Sequence, residues 1–441
     1  MTKLRTPDLL QALRAFPRAG SALKTLGDAV VSGGGSRRTR YALRRELRGN
    51  ARPIPLYRID EAGRGHELGK LSLLYPEGSW LDAPEGFPWP RDKDMADGWF
   101  DGLPYPLLDM RPQGFIGRHF AQAHALDLGV SGNPEEWPDD DVVHVLTVAG
   151  HDQPGDLILG ETAYRRFLAA PSQGEERFLA ESQIETAYPR LAEAAMSHGD
   201  VGSSAGGEFP KFTASRWLGS RKMDVIVKFS GADDAPAVRR WADLLVCEHL
   251  AGRALNEMLQ IPAAESAIYR YAGRTFLEVV RFDRHGDSGR SAVCTLGSLN
   301  AALLGARSTP WHAVAQRLEL AGWLSGQDTA RIALLWWFGK LIGNSDMHEG
   351  NLAFRPGLAL APAYDMLPMA YAPLRGGEVA EKVFAPALPL PGEAPAWRQA
   401  AEAAVSYWTL CAEDARISPE FRRICEDNSR TVSGLLSRLF A

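Results

Sequence analysis

The chain has 441 residues, 45% of them hydrophobic and 23% charged, which is ordinary globular usage at a length that one hydrophobic core seldom organises alone. Disorder, collagen and coiled coil are excluded, and two or three domains are expected. The net charge of -5 points to no partner by itself, but residues 1–50 hold eleven Lys or Arg against three acids, a local balance of +8.

The N-terminus, MTKLRTPDLL, carries no apolar core followed by a small-residue cleavage site. The longest purely apolar stretch, 332–338, is far too short to span a bilayer. A cytoplasmic protein with no membrane partner is therefore expected. Helical apolar spacing predicts a helix over 8–16 and a shorter one over 21–26, ending at Gly27. The period then changes. Residues 28–31, a glycine turn over 33–35 and residues 40–43 predict a small hairpin whose far strand carries arginines. Helices followed by a basic hairpin are the layout of a winged helix-turn-helix, here one helix short, and a local positive excess is what phosphate neutralisation requires. Segment 1–50 is expected to contact DNA, with Arg37, Arg38, Arg40 and Arg44 against phosphates and 21–26 nearest the bases. The plainer alternative is a solvated basic extension.

A proline-bearing linker is expected over 51–55, followed by an antiparallel meander over 56–75 around Gly63, Gly65 and Gly69. From 84 to 112, prolines, glycines and aromatics crowd together, which predicts an ordered, turn-rich segment. Helices are predicted over 184–196, 237–259, 328–342 and much of 397–440. Strands are predicted over 224–229, 267–271, 275–282, 352–354 and 358–360. The four cysteines, Cys247, Cys294, Cys411 and Cys425, form no C-x-x-C pair, which argues against a zinc ribbon or a disulfide framework. The fold class is α+β, with an antiparallel sheet early, helices late and functional loops between them.

The polar loop GNSDMHEGN, residues 343–351, stands between a predicted helix and a short strand. Four residues separate Asp346 from Asn351, the spacing by which a protein-kinase catalytic loop sets an aspartate near the substrate hydroxyl and an asparagine on Mg²⁺. Asp365 follows nineteen residues after Asp346, beyond a strand pair, where a kinase needs its second metal ligand. Each acid alone reads better as a turn residue; three in register around a hairpin weigh against that reading. Upstream, GSSAGGEFPK over 202–211 is a small-residue loop whose amides can approach phosphate closely, so Ser203, Ser204, Gly206, Gly207 and Lys211 form the expected phosphate-side set. Lys228 lies on the predicted strand 224–229, and a buried lysine needs an anionic partner. ATP phosphates and a helix glutamate would serve, with Glu248 as the candidate and a surface position as its plainer fate.

Two other patterns compete. Residues 202–206 satisfy G-x-S-x-G, the hydrolase nucleophile elbow, which requires a strand before it and a helix after it. Asp346, His348 and Asp365 would suit a divalent metal for phosphodiester hydrolysis, a nuclease compatible with a DNA-binding arm, but that leaves Lys228 and the glycine loop unexplained.

The series GSSAGGEFPKF, DVIVKFS, FLEVVRFDR, GNSDMHEGNLAF and LAPAYDMLP resembles the HipA-type serine/threonine kinases, the toxin halves of bacterial toxin-antitoxin modules, over roughly residues 56–441. A basic helix-turn-helix-like segment ahead of the kinase is similar to the YjjJ branch of that family, in which DNA-binding and kinase parts share one chain. The resemblance implies a two-lobed, protein-kinase-like fold: a winged-helix-like segment over 1–50, a small β-rich subdomain over 56–100 and a kinase domain over 101–441. Within the last, the ATP-binding part runs to about residue 283 and a helical part follows. It implies Asp346 as catalytic base, Asn351 and Asp365 as Mg²⁺ ligands and Lys228 on the ATP phosphates, with Glu248, Glu278 and His348 on the nucleotide side. Ser204, or Ser203, would be the loop serine that such kinases autophosphorylate. Val280 stands where many relatives carry a glutamate, and Glu349 and Gly350 replace a pair that commonly includes a lysine. The activity implied is an ATP- and Mg²⁺-dependent, growth-inhibiting serine/threonine protein kinase acting on protein substrates, with an antitoxin as a further partner. The alternatives are a DNA-binding transcriptional regulator whose kinase fold only senses nucleotide, and a metal-dependent nuclease.

Overall fold

A computed structural model of the chain describes residues 26–34, 39–82, 87–169, 177–197, 209–307, 310–374 and 376–440. The helices expected over 8–16 and 21–25, and the wing residues Arg37 and Arg38, lie outside the described residues. Strands β1 (Val30–Gly33) and β2 (Arg40–Leu43) form the expected antiparallel hairpin, with Val30 opposite Leu43. The expected linker does not hold that hairpin apart from the rest of the chain. Arg45 N donates to Leu73 O at 2.8 Å, Tyr75 N donates to Leu43 O at 2.9 Å, and Arg44 Nη1 donates to Ser72 Oγ at 2.6 Å. At Gly33 an added Cβ would lie 2.5 Å from Trp80 Nε1, so the hairpin rests directly on the next sheet. Residues 54 and 55 already belong to that sheet.

Strands β3 (Ile54–Ile59), β4 (Gly65–Leu73), β5 (Ser79–Asp82), β6 (Trp99–Phe100) and β7 (Leu157–Leu159) make an antiparallel sheet in the order β6-β5-β4-β3-β7. The expected meander over 56–75 corresponds to β3 and β4, and β5 adds a third antiparallel strand beyond its end. Helices α1 (Gly114–Leu128) and α2 (Asp139–Ala149) intervene before β7, and α3 (Glu161–Ala169) follows it. Because β7 pairs with β3, this unit continues well past the expected boundary at residue 100. Three aspartates fill the first turn of α2, where negative charge meets the positive end of the helix dipole, while Val142, Val143, Leu146 and Ala149 are buried. In the turn-rich segment, Trp89, Leu103, Tyr105, Leu107 and Met110 all enter the core.

Helix α4 (Ile184–Ser197) precedes a second sheet built from β8 (Lys211–Leu218), β9 (Arg221–Phe229), β10 (Ser266–Tyr271) and β11 (Arg274–Val280), in the order β10-β11-β9-β8. The alternation of side chains along each strand gives this sheet two different faces. Val225, Val227, Phe229 and Phe276 pack under Ile184 and Tyr188 of α4. Leu277 joins the other face, with Leu244, Leu245 and Val246 of helix α5 (Pro236–Met258).

Short pairs β12 (Arg284–His285) with β13 (Gly289–Arg290), and β14 (Cys294–Thr295) with β15 (Ala353–Arg355) and β16 (Ala359–Leu360), lead into the helical lobe. There α6 (Leu296–Leu303), α7 (Trp311–Leu320), α8 (Gly326–Leu341), α9 (Ala394–Glu413) and α10 (Pro419–Phe440) surround fully buried Trp311, Trp397, Trp408 and Phe421. The four cysteines are buried and free. Among the described residues, no helix is long and apolar enough to cross a membrane.

Candidate active site

The site forms where the four-stranded sheet meets the helical lobe. Alternation along β9 turns Val225, Val227 and Phe229 toward α4, so Lys228 points the other way, beneath α5. Its side chain is 7% exposed, and its ammonium donates to Glu248 Oε1 at 2.7 Å, to Glu248 Oε2 at 2.8 Å and to the Asp365 carboxylate. A buried charge without partners would cost several kcal/mol. Burial pulls the Lys228 pKa down, but Asp365 and Glu248 more than reverse this and hold the ammonium charged. Burial raises the Glu248 carboxyl despite Lys228. At Asp365 burial acts in the same direction, yet Lys228 and Lys211 overcome it and keep the carboxyl low. Lys211, at the start of β8, is the direct cross-strand partner of Lys228.

The acidic loop begins where α8 ends. Gly343 takes the left-handed conformation, φ +74°, that lets the chain leave the helix sharply. Asn344 follows, 3% exposed, with its side chain between two loops: Oδ1 accepts from Asp346 N at 3.0 Å and Nδ2 donates to Asp365 O at 3.3 Å. Asn351 Nδ2 donates to Asp346 O at 2.9 Å, which closes the loop and leaves the Asn351 carboxamide oxygen for another partner. Tyr364 Oη donates to Gly350 O at 2.7 Å. Asp365 itself has φ +54°, a left-handed backbone uncommon for a residue with a side chain, and such strain concentrates at functional positions. Asp346 is exposed.

Lys211, Lys228, Glu248 and Asp365 are therefore brought together, and hydrogen bonds through Asn344 tie the Asp346–Asn351 loop to them. Glu278 is not part of this group. It lies opposite Val227 in the ladder, on the α4 face, where it accepts from Arg216 Nη1 at 2.9 Å and from Tyr188 Oη. Two-residue alternation thus puts it on the face opposite Lys228, which corrects the expectation that the two share one side of the sheet. His348 lies on the Asp346–Asn351 loop itself, where its Nδ1 accepts from Gly350 N at 3.1 Å and caps the turn Glu349–Asn351. Among the described residues no cluster of three or more His, Cys, Asp or Glu side chains is arranged to hold a metal. Ser203, Ser204, Gly206 and Gly207 lie outside the described residues. Helix α4 comes before that loop and strand β8 after it, the reverse of a nucleophile elbow.

Asn344 and Tyr364 carry no charge and sit beside more conspicuous acids, so sequence reasoning passes over them; only the folded register shows that they hold the loops. Glu349 accepts from Asn300 Nδ2 at 3.0 and 2.9 Å and so anchors the loop to α6.

Residues 50–168 match the family described as YjjJ-like toxin, middle domain, and residues 203–433 match the HipA-like C-terminal domain. The first range coincides with the five-stranded unit and its helices. The chain is 36% identical over 425 residues to the toxin YjjJ of Escherichia coli (strain K12), a match covering 96% of this chain and 93% of that protein. In fold it is similar to a chain of the Shewanella oneidensis MR-1 toxin-antitoxin complex of HipA, HipB and operator DNA, with a TM-score of 0.51 at 13% identity, over 87% of this chain and 97% of that one. With a fold similar to that of the HipA complex chain, both family segments in order and 36% identity along nearly its whole length, the chain belongs to the HipA-like toxin family.

Proposed function

We propose that the protein is an ATP- and Mg²⁺-dependent serine/threonine protein kinase, acting in the cytoplasm and restraining growth by phosphorylating a protein substrate. The observation that supports this most is Lys228 held between Glu248 and Asp365, with Asp346 and Asn351 on the adjoining loop. Mg²⁺-ATP supplies the phosphoryl group. The residues fit it: Lys228 and Lys211 offer ammonium groups for phosphate oxygens, and Asp365 and Asn351 offer the hard oxygen ligands that Mg²⁺ prefers. Glu248 orients Lys228. The exposed Asp346 carboxylate accepts the proton of the substrate hydroxyl, and catalysis rests on positioning and charge stabilisation. Ser204, or Ser203, is the autophosphorylated residue in this reading. The HipA complex includes HipB and operator DNA; by analogy, an antitoxin protein and DNA bound through residues 1–50 are the partners proposed here.

The test is incubation of purified protein with labelled ATP and Mg²⁺ beside an Asp346→Asn variant, which keeps the side chain's size but cannot take the proton. Label incorporated by the unaltered protein and lost in the variant supports the reading. Nucleotide binding without transfer favours a nucleotide-sensing regulator, and equal labelling of both proteins removes Asp346 as the base.

A further inference from the structure

A second concave site lies away from the Lys228 cluster, where the five-stranded unit meets the other end of the β8–β9 ladder. It encloses about 390 Å³ and is shared by His151, Asp152 and Phe167 of the first unit, Thr213 and Ser215 of β8, and the arginine-rich stretch after β11. None of Lys211, Lys228, Glu248, Asn351 or Asp365 lines it. Its volume falls in the range of small-molecule sites, about 300–1,000 Å³.

Charge identifies the ligand. Arg177, Arg190, Arg281, Arg284 and Arg290 line the cavity. Asp224 pairs with Arg177 at 3.0 Å, and Asp283 pairs with Arg281 at 3.0 Å and Arg284 at 2.6 Å. Asp152 is shared, at 3.1 Å from Arg284 and 3.8 Å from both Arg281 and Arg290, while Asp287 is taken by Lys222 at 2.6 Å. Six cations thus face four carboxylates, which leaves two positive charges unmatched among the described residues. Arg190 is exposed and has no ion pair there. Arg290 is 5% exposed, and its Nη1 has no hydrogen-bond partner. Burial and the neighbouring Arg284 push the Arg290 guanidinium down to about 9, as expected for a cation crowded by its own kind.

We propose that this cavity binds a phosphate monoester. A phosphoryl dianion carries about -1.5 to -2 charges at neutral pH, which matches the surplus, and guanidinium groups suit its oxygens in pairs. Phe167, Leu179 and Leu191 supply an apolar wall for the organic part. The ligand would touch both the five-stranded unit and β8, two residues along the strand from Lys211, and so bridge the two parts of the chain.

Calorimetric titration of the full chain with inorganic phosphate and with adenosine monophosphate, against chloride at equal ionic strength, tests this. Unaltered protein and a Lys211→Ala variant should bind phosphate alike, and Arg190→Glu, at an exposed site where folding is undisturbed, should bind at least tenfold more weakly. Tighter binding of the nucleotide than of phosphate would point to a nucleotide as the source of the phosphoryl group, and equal binding to phosphate itself. The proposal is overturned if the unaltered protein does not distinguish phosphate from chloride, if Arg190→Glu binds as well as the unaltered protein, or if Lys211→Ala removes the binding.

Discussion

Lys211 and Lys228 stand directly opposite each other in the β8–β9 ladder, so two ammonium side chains share one face of the sheet. Like charges so placed repel by about 0.2–1 kcal/mol. Glu248 and Asp365 are the groups that offset this. Lys211→Ala should therefore leave the melting temperature unchanged or slightly raised, while the ATP concentration needed for half-maximal phosphorylation rises several-fold. A large fall in melting temperature would show that Lys211 serves the fold and not the phosphates.

Lys228 is a different matter, because removing one member of a buried ion pair leaves the others without compensation. Lys228→Met should destabilise the protein by about 3–5 kcal/mol in urea unfolding, besides abolishing phosphoryl transfer. Adding Glu248→Gln to that variant should restore part of the loss, since one of the stranded carboxylates is then neutral. Additive losses in the double variant would contradict the coupling between Lys228 and Glu248.

Asn344 acts through its neighbours. Asn344→Ala removes the bonds to Asp346 N and Asp365 O, letting both acids drift without touching their own side chains. A displacement near 1 Å can cost about 100-fold in rate. The expected result is a lower kcat with a nearly constant KM for the protein substrate; a change confined to KM would place Asn344 in binding instead.

Much of this site is legible in the sequence because its signals are local. The four-residue gap between Asp346 and Asn351, the strand around Lys228 and the stripe of α5 bearing Glu248 each depend on a few consecutive residues, and the structure keeps all three. Glu278 shows where such reading stops. It lies two residues before Val280, where many relatives carry a glutamate, but its face is decided by the register of β11 against β9, a pairing across some fifty residues of chain that spacing alone does not specify. Strand β8 escapes sequence reading for a related reason: Lys211–Leu218 mixes Lys, Ser and Arg with apolar residues, and Arg216 is fully buried only because Glu278 awaits it in the same sheet. The linker expected at 51–55 is cut short because Pro55 is the second residue of β3, before its pairing with β7 begins at Leu56, so no bond to β7 is asked of its missing N–H.

The arginine cluster after β11 carries a clear pH dependence. Burial tends to raise the Asp283 carboxyl, but Arg281 and Arg284, with the Gly155 amide, overcome this and hold it far below the usual carboxylate range. Its folded pKa is thus lower than its unfolded one, about 3.9. The stability it contributes is complete above that unfolded value and is lost as pH falls toward the folded one. Asp283→Asn should cost about 3–5 kcal/mol at neutral pH and flatten the fall in stability below pH ~4. Parallel acid limbs for the variant and the unaltered protein would show that Asp283 is not the group being titrated.

The basic hairpin leads to the last expectation, in which fewer arginines than four are free for the proposed DNA contacts. Arg44 is engaged with Ser72, Arg45 with Asp140, and Arg48 with Asp141 at 2.8 Å, so these arginines hold the hairpin on the five-stranded unit and are not available to phosphates. Arg40 is half exposed and only loosely placed against Asp94, at 3.9 Å. Each phosphate contact adds about 0.9 to the slope of log affinity against log salt, so Arg37, Arg38 and Arg40 together imply a slope near -2.7, and a fourth contact from Arg44 would bring it to about -3.6. A filter-binding salt series on the full chain with duplex DNA can distinguish these. Arg40→Ala should lower the slope by about 0.9 and leave the melting temperature unchanged. Arg44→Ala should leave the slope unchanged and lower the melting temperature, because it removes a contact that fastens the hairpin. If Arg44→Ala alters the slope and Arg40→Ala does not, the hairpin faces DNA by its other side; if neither protein binds near 50 mM salt, the positive segment serves only to dock on the acidic start of α2.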